Sequence, residues 1–130
     1  MARTGGLLAV WSYSLLESGV PAIDAALVEL YSGAVGPFWA PDRKLVEEGY
    51  RNVLVPFTET QVPPFAMRAE WTLDQLCGYL GTWSAVAAYR KERQEDPVEP
   101  VRKQILGDWG DPAVTRTMLW PLSVRAFEVR

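Results

Sequence analysis

The chain has 130 residues, 48% hydrophobic against 22% charged, with a formal net charge of −3. This composition supports a core of its own and excludes a disordered chain. It also argues against a nucleic-acid partner, since phosphate binding needs a basic face and the arginines here are scattered.

There is no histidine and only one cysteine, Cys77. A disulfide within the chain is therefore impossible, and so is a Ser-His or Cys-His nucleophile system. No metal site is expected. No apolar run approaches the roughly 20 residues of a membrane span, and no signal-peptide pattern opens the chain. The sequence reads as cytoplasmic, without membrane contact.

The first element is "GGLLAVWSYS". Leu7 to Trp11 form a near-continuous apolar run, the habit of a strand buried on both faces in a parallel sheet. Only four residues precede Gly5, too few for a crossover to a parallel neighbour. The expected partner strand therefore lies outside these residues.

"LLESGVP" reads as a loop, with Pro21 as a first helical residue. Ile23, Ala26, Leu27, Leu30 and Tyr31 then form one helical stripe, which Gly33 and Gly36-Pro37 are expected to end. "PFWAPD" reads as an aromatic loop. Asp42 is placed to cap a short helix, "RKLVEE", closed by Gly49. "NVLVPF" is an apolar stretch leading into a loop.

Alternation of Phe65, Met67, Ala69 and Trp71 with Ala66, Arg68 and Glu70 predicts a strand with one wetter face. Thr72 and Gln75 then form a T-x-x-Q capping box. The helix they open is predicted to run to about Arg93, with Leu73, Leu76, Cys77, Leu80, Trp83, Ser84 and Ala87 on its apolar stripe. Asp96, Pro97 and Glu99 open another helix, with Val98, Val101, Ile105 and Trp109 inward and Gly110 ending it. "TRTMLWPLSVRAFEVR" reads as a long last strand, with Pro121 marking an edge or a bulge. No linker divides the chain, which reads as a single domain over 1–130.

Several of these blocks resemble class I S-adenosylmethionine-dependent methyltransferases, in the type 11-like small-molecule branch. They are "GGLLAVWSYSLL", "GPFWAPDRKLVEEGYRNVLVPF", "PPFAMRAEWTLDQLCGYLGTWSAVAAYRK" and "WPLSVRAFEV", in the family's order along nearly the whole chain. "ARTGG" stands where the family commonly has a Pro-Gly-Gly turn, with Thr4 in place of Pro. The resemblance implies an α/β fold, the C-terminal portion of a Rossmann-like sheet of order 3-2-1-4-5-7-6. Residues 6–12 would be strand 5, about 65–71 strand 6, and about 116–129 strand 7, antiparallel, accompanied by about four helices.

The resemblance implies S-adenosylmethionine as the cofactor of the complete enzyme and a small organic molecule as methyl acceptor. The family's cofactor site lies on its first four strands, with a glycine-rich turn after strand 1 and an acidic residue after strand 2. No such pattern occurs here, so no cofactor-binding residue is assigned, and the isolated chain is expected to be inactive. Its expected partners are the methyl acceptor and either a second copy or a complementing N-terminal half. The alternative is a non-catalytic interaction module, or a subunit of a split enzyme, pairing through the first strand.

Ligands of open α/β sheets sit beyond the carboxyl ends of strands. Trp11, Ser12 and Tyr13 occupy that end of the first strand and are candidate acceptor-binding residues, against a reading as core and ordinary loop. Trp39, in the loop the family places near substrate, is a candidate against a loop staple. Tyr79 and Trp83, four apart on one helical face, could stack on an organic ligand. Gly78 and Gly81 suit either close approach of a ligand or backbone, or tight helix packing. Glu70 and Asp74 form a weak acid/base pair that capping and solvation explain as well. No catalytic residue is assigned.

Overall fold

The computed structural model describes residues 3–129. Ala2 of the quoted turn and Arg130 of the final run lie outside them. The elements in order are β1 (Leu7–Tyr13), α1 (Pro21–Val28), a π-helical turn (Glu29–Ala34), a 3-10 turn (Gly36–Phe38), α2 (Arg43–Glu47) and β2 (Thr58–Thr60). There follow β3 (Phe65–Trp71), α3 (Leu73–Leu80), α4 (Ser84–Arg93), α5 (Val98–Trp109) and β4 (Arg116–Glu128). The fold is α/β, with β4 at the centre of the sheet. β1 runs antiparallel along β4 from Leu7↔Glu128 to Tyr13↔Leu122, β2 pairs antiparallel with Glu128 to Ala126, and β3 also pairs with β4.

The described residues form two compact units. One holds 3–15, 41–67 and 120–129, the other 16–40 and 68–119. Neither is a continuous stretch, which is why no linker is visible in the sequence.

In the first unit β1 stands at the end of the strand order, with β4 its one neighbour among the described residues. The expectation that β1 is buried on both faces does not hold within this chain. Leu7 is 70% exposed and Trp11 65%, with Ala9 and Tyr13 open beside them, whereas Ser12 on the other face is buried. The physical reason is cover: α2 packs against β1 on one side only. Buried apolar residues of this unit are few, namely Trp120, Ala126, Phe127 and Val129. Pro121 sits inside β4, where its carbonyl accepts from the Ser14 N–H. The next pair along, Glu17↔Leu119, raises the sum of paired numbers by one, the mark of a bulge opposite the proline.

Arg125 ties the 50–59 segment to β4. Its Nη1 donates to the carbonyls of Tyr50 and Val53, and Nε and Nη2 both reach Glu59 Oε1. "NVLVPF" forms no strand here: Leu54 is 96% exposed, and the short strand β2 comes just after it. Asp42 precedes α2, but its side chain makes no capping bond. The Leu45 N–H bonds to its main-chain carbonyl instead.

The second unit is helical and has the deeper core. Ile23, Leu27 and Leu30 of the first helical stretch are buried, as are Leu73, Leu76 and Leu80 of α3 and Val98, Val101, Ile105 and Trp109 of α5. Pro21 opens α1 and Gly110 closes α5, as the sequence predicts. Thr72 and Gln75 form both bonds of the capping box.

Two boundaries differ from expectation. Gly33 does not end the first helix; the chain continues as a π-helical turn in which the Val35 N–H reaches back to the Leu30 carbonyl. The predicted helix from 73 to 93 is two helices. At Thr82 the hydroxyl and the N–H both bond the Tyr79 carbonyl, and Trp83 turns extended before α4 begins. The break shifts the helical phase, so that Ala85 and Val86 are buried in place of Ser84 and Ala87.

Candidate functional site

The helical unit gathers a run of aromatic rings. Trp71 closes β3, and the capping box fixes where α3 starts behind it. Tyr79 on α3 lies 5.0 Å from Trp71 between ring centroids, and Trp83, half-buried at the helix break, lies 6.1 Å from Tyr79. Trp83 is 5.7 Å from Trp39 and 5.6 Å from Tyr31, and those two rings are 4.8 Å apart. Each spacing suits tilted or edge-on aromatic contact. The Trp39 indole N–H donates to the Tyr31 carbonyl at 2.9 Å, fastening the loop to the π-turn. All five rings are partly exposed, so they present a surface as well as packing on one another.

Of the residues picked from sequence, Trp39, Tyr79 and Trp83 therefore come together. Trp71 and Tyr31 join them and were not picked. Tyr31 lay on the helical stripe and Trp71 on the strand pattern, so both were legible as core positions. Their part in the cluster depends on a π-turn and a helix break that periodicity does not reveal.

Trp11, Ser12 and Tyr13 belong to the other unit. Trp11 and Tyr13 share the open face of β1 at its carboxyl end. Ser12 points the opposite way and donates to the Val46 carbonyl at 3.3 Å. Strand alternation prevents all three from lining one surface.

The glycines of α3 resolve differently. A Cβ at Gly78 would meet nothing within 4 Å, so helix packing does not require this glycine. A Cβ at Gly81 would lie 3.2 Å from Arg90 Nη1 and 3.3 Å from the Gly78 carbonyl, a tight fit. Arg90 also binds Asp96 Oδ1 through Nε and Nη2, and that carboxylate accepts from the Val98 N–H at the start of α5.

The two carboxylates near the β3–α3 junction go to separate partners. Glu70 accepts from the Thr117 hydroxyl at 2.6 Å, and Asp74 forms an ion pair with Arg102. These partners account for both, and no acid/base pair is assembled between them. Burial pushes the Cys77 thiol up from its ordinary range, opposed by a hydrogen bond from Arg102. That makes it a poor nucleophile at neutral pH. Among the described residues no group of three or more Cys, Asp or Glu could hold a metal ion, and no helix is long and apolar enough to cross a membrane. The chemistry on offer is stacking and alignment of an organic molecule.

No family model matches the chain. Over 109 residues, 82% of its length, it is 27% identical to a candidate methyltransferase of Dictyostelium discoideum, of which it spans 41%. Among solved structures, a candidate type II methyltransferase from Anaeromyxobacter dehalogenans matches 98% of the chain with a TM-score of 0.91 and 37% identity, and the chain spans 54% of it. The chain thus spans about half the length of the proteins it resembles.

Proposed function

We propose that this chain is the acceptor-side, C-terminal part of an S-adenosylmethionine-dependent methyltransferase acting on a small organic molecule in the cytoplasm. The observation that carries the reading is the likeness, in sequence and in fold, to the Anaeromyxobacter methyltransferase along nearly all of these residues. The sheet agrees: β4, antiparallel to β1 and paired with β3 as well, occupies the place of strand 7 between strands 5 and 6.

The glycines near these strands do not form the glycine-rich turn after a strand that the cofactor would use. Gly5 and Gly6 precede β1 rather than follow a strand, Gly78 lies inside α3 and Gly81 at its end. We therefore assign the cofactor to the remainder of the enzyme and the acceptor to this part. Trp39, Trp71, Tyr79 and Trp83 would hold a flat or apolar acceptor by stacking and keep water from it, which is the positioning work a displacement needs. Trp11 and Tyr13, in the other unit, offer a separate aromatic surface at the end of β1. This role needs no general base on the chain when the acceptor is itself nucleophilic.

The free edge of β1 supports a second reading, an interaction module that captures a strand from another subunit. The nucleotides around the Met1 codon separate the two. A reading frame upstream, continuous or adjacent, that encodes four further strands with a glycine-rich turn after the first supports the methyltransferase reading. A flanking sequence without one contradicts it.

A further inference from the structure

The helical unit holds a second concavity, lined by none of the five clustered rings. A cleft of about 440 Å³ runs between the end of α1 with its π-turn and the first turns of α5. Small-molecule sites commonly span about 300–1,000 Å³. Its lining is largely apolar, with Leu30, Pro100 and Val101 among its walls and the Tyr89 ring beside them.

The polar groups of the cleft are unevenly signed. Glu29 is the one ionisable carboxylate on the lining, and it takes no part in the ion pairs found among the described residues. It lies where α1 passes into the π-turn, and neither of these carries a basic residue in its last turn. The facing wall is a helix N-terminus, ordinarily a place for anions. Here its donors are largely removed. Pro97 and Pro100 have no N–H, and the Val98 N–H is bonded to Asp96 Oδ1 at 3.0 Å. Glu99 adds negative charge to the same turn. Arg93, whose guanidinium stands 5.9 Å from the Tyr89 ring centroid, is not part of the lining, and neither are Arg102 and Lys103 of α5.

We infer that this cleft binds an organic cation, an alkyl- or arylammonium whose apolar body lies along Ala34 and Pro100 and whose ammonium meets Glu29. The inference does not depend on the proposed methyl transfer.

The test is a titration of the ¹⁵N-labelled 130-residue chain, followed by two-dimensional NMR, with benzylammonium, benzyl alcohol and benzoate. Benzylammonium is expected to give saturable shifts at the Glu29, Gly33 and Gln104 amides, and benzoate none there. Glu29→Gln is expected to weaken benzylammonium about tenfold, as loss of a charged hydrogen bond does, and to leave benzyl alcohol unchanged. Glu29 is exposed, so the variant should fold; Gly33→Leu, which fills the cleft, should abolish the shifts. Equal response to benzoate, an unaltered affinity in Glu29→Gln, or no shift at these amides would overturn the inference. So would shifts at the same amides on concentrating the protein alone, which would make a second copy the occupant.

Discussion

A Cβ placed on Gly49 would lie 2.6 Å from Ser123 Oγ and 2.7 Å from Ser123 Cβ, and Gly49 holds a φ of +62°. The end of α2 therefore passes β4 at a distance only glycine allows. Gly49→Ala adds left-handed strain of about 1–2 kcal/mol and overpacking of about 1–3 kcal/mol. We expect a loss of about 2–5 kcal/mol in urea unfolding. Ser123→Gly in the same chain should return the steric part and leave the backbone part. A Gly49→Ala chain as stable as the parent would mean that α2 does not approach β4 this closely.

Gly78 is the opposite case. It lies within α3, exposed, with open space where a Cβ would go. Gly78→Ala is expected to stabilise the isolated chain by about 0.5–1 kcal/mol, a rise in Tm of about 3 °C. A fall in Tm would show that the glycine serves packing after all.

The Cys77 thiol gives a pH-dependent expectation. Burial raises its pKa above the ordinary thiol value, and Arg102 partly offsets this. The folded chain thus holds the thiol proton more tightly than the unfolded chain does. The corresponding stabilisation is complete below the ordinary thiol pKa and is lost as pH rises through the folded value, so this group alters stability only in the alkaline range. Alkylation by iodoacetamide should rise with pH at a midpoint above that of the urea-unfolded chain, and Arg102→Met should move it higher still. A midpoint at or below that of the unfolded chain would contradict this environment.

Hydrogen exchange reads the state of β1 directly. The Val129 N–H bonds the Gly6 carbonyl and the Ser14 N–H bonds the Pro121 carbonyl. By antiparallel alternation the even-numbered residues of β1 face β4, and the amides of Leu7, Ala9, Trp11 and Tyr13 face the free edge. At low protein concentration those four should exchange fast, while Leu8, Val10 and Ser12 are protected. Protection of all seven at every concentration would mean that the edge is already covered.

Much of this was legible in local chemistry. The bounds of β3 follow from its two-residue alternation, and the start of α3 from Thr72 and Gln75. Pro21 and Gly110 punctuate helices in the ordinary way. What failed to show were features decided by a hydroxyl or by a neighbour. Thr82 splits a helix whose apolar stripe looks continuous until the phase shift is known, and the π-turn carries the chain past Gly33. The exposure of β1 could not be read because an apolar run states what a strand prefers, not what covers it. The ring cluster was half visible for the same reason: Tyr79 and Trp83 share a spacing, but Trp71 and Tyr31 reach them only through tertiary structure.

Isothermal titration of S-adenosylmethionine into the 130-residue chain decides whether the acceptor belongs to these residues and the cofactor to the remainder of a methyltransferase. No saturable heat is expected up to millimolar cofactor. A one-to-one isotherm with micromolar affinity would contradict this division.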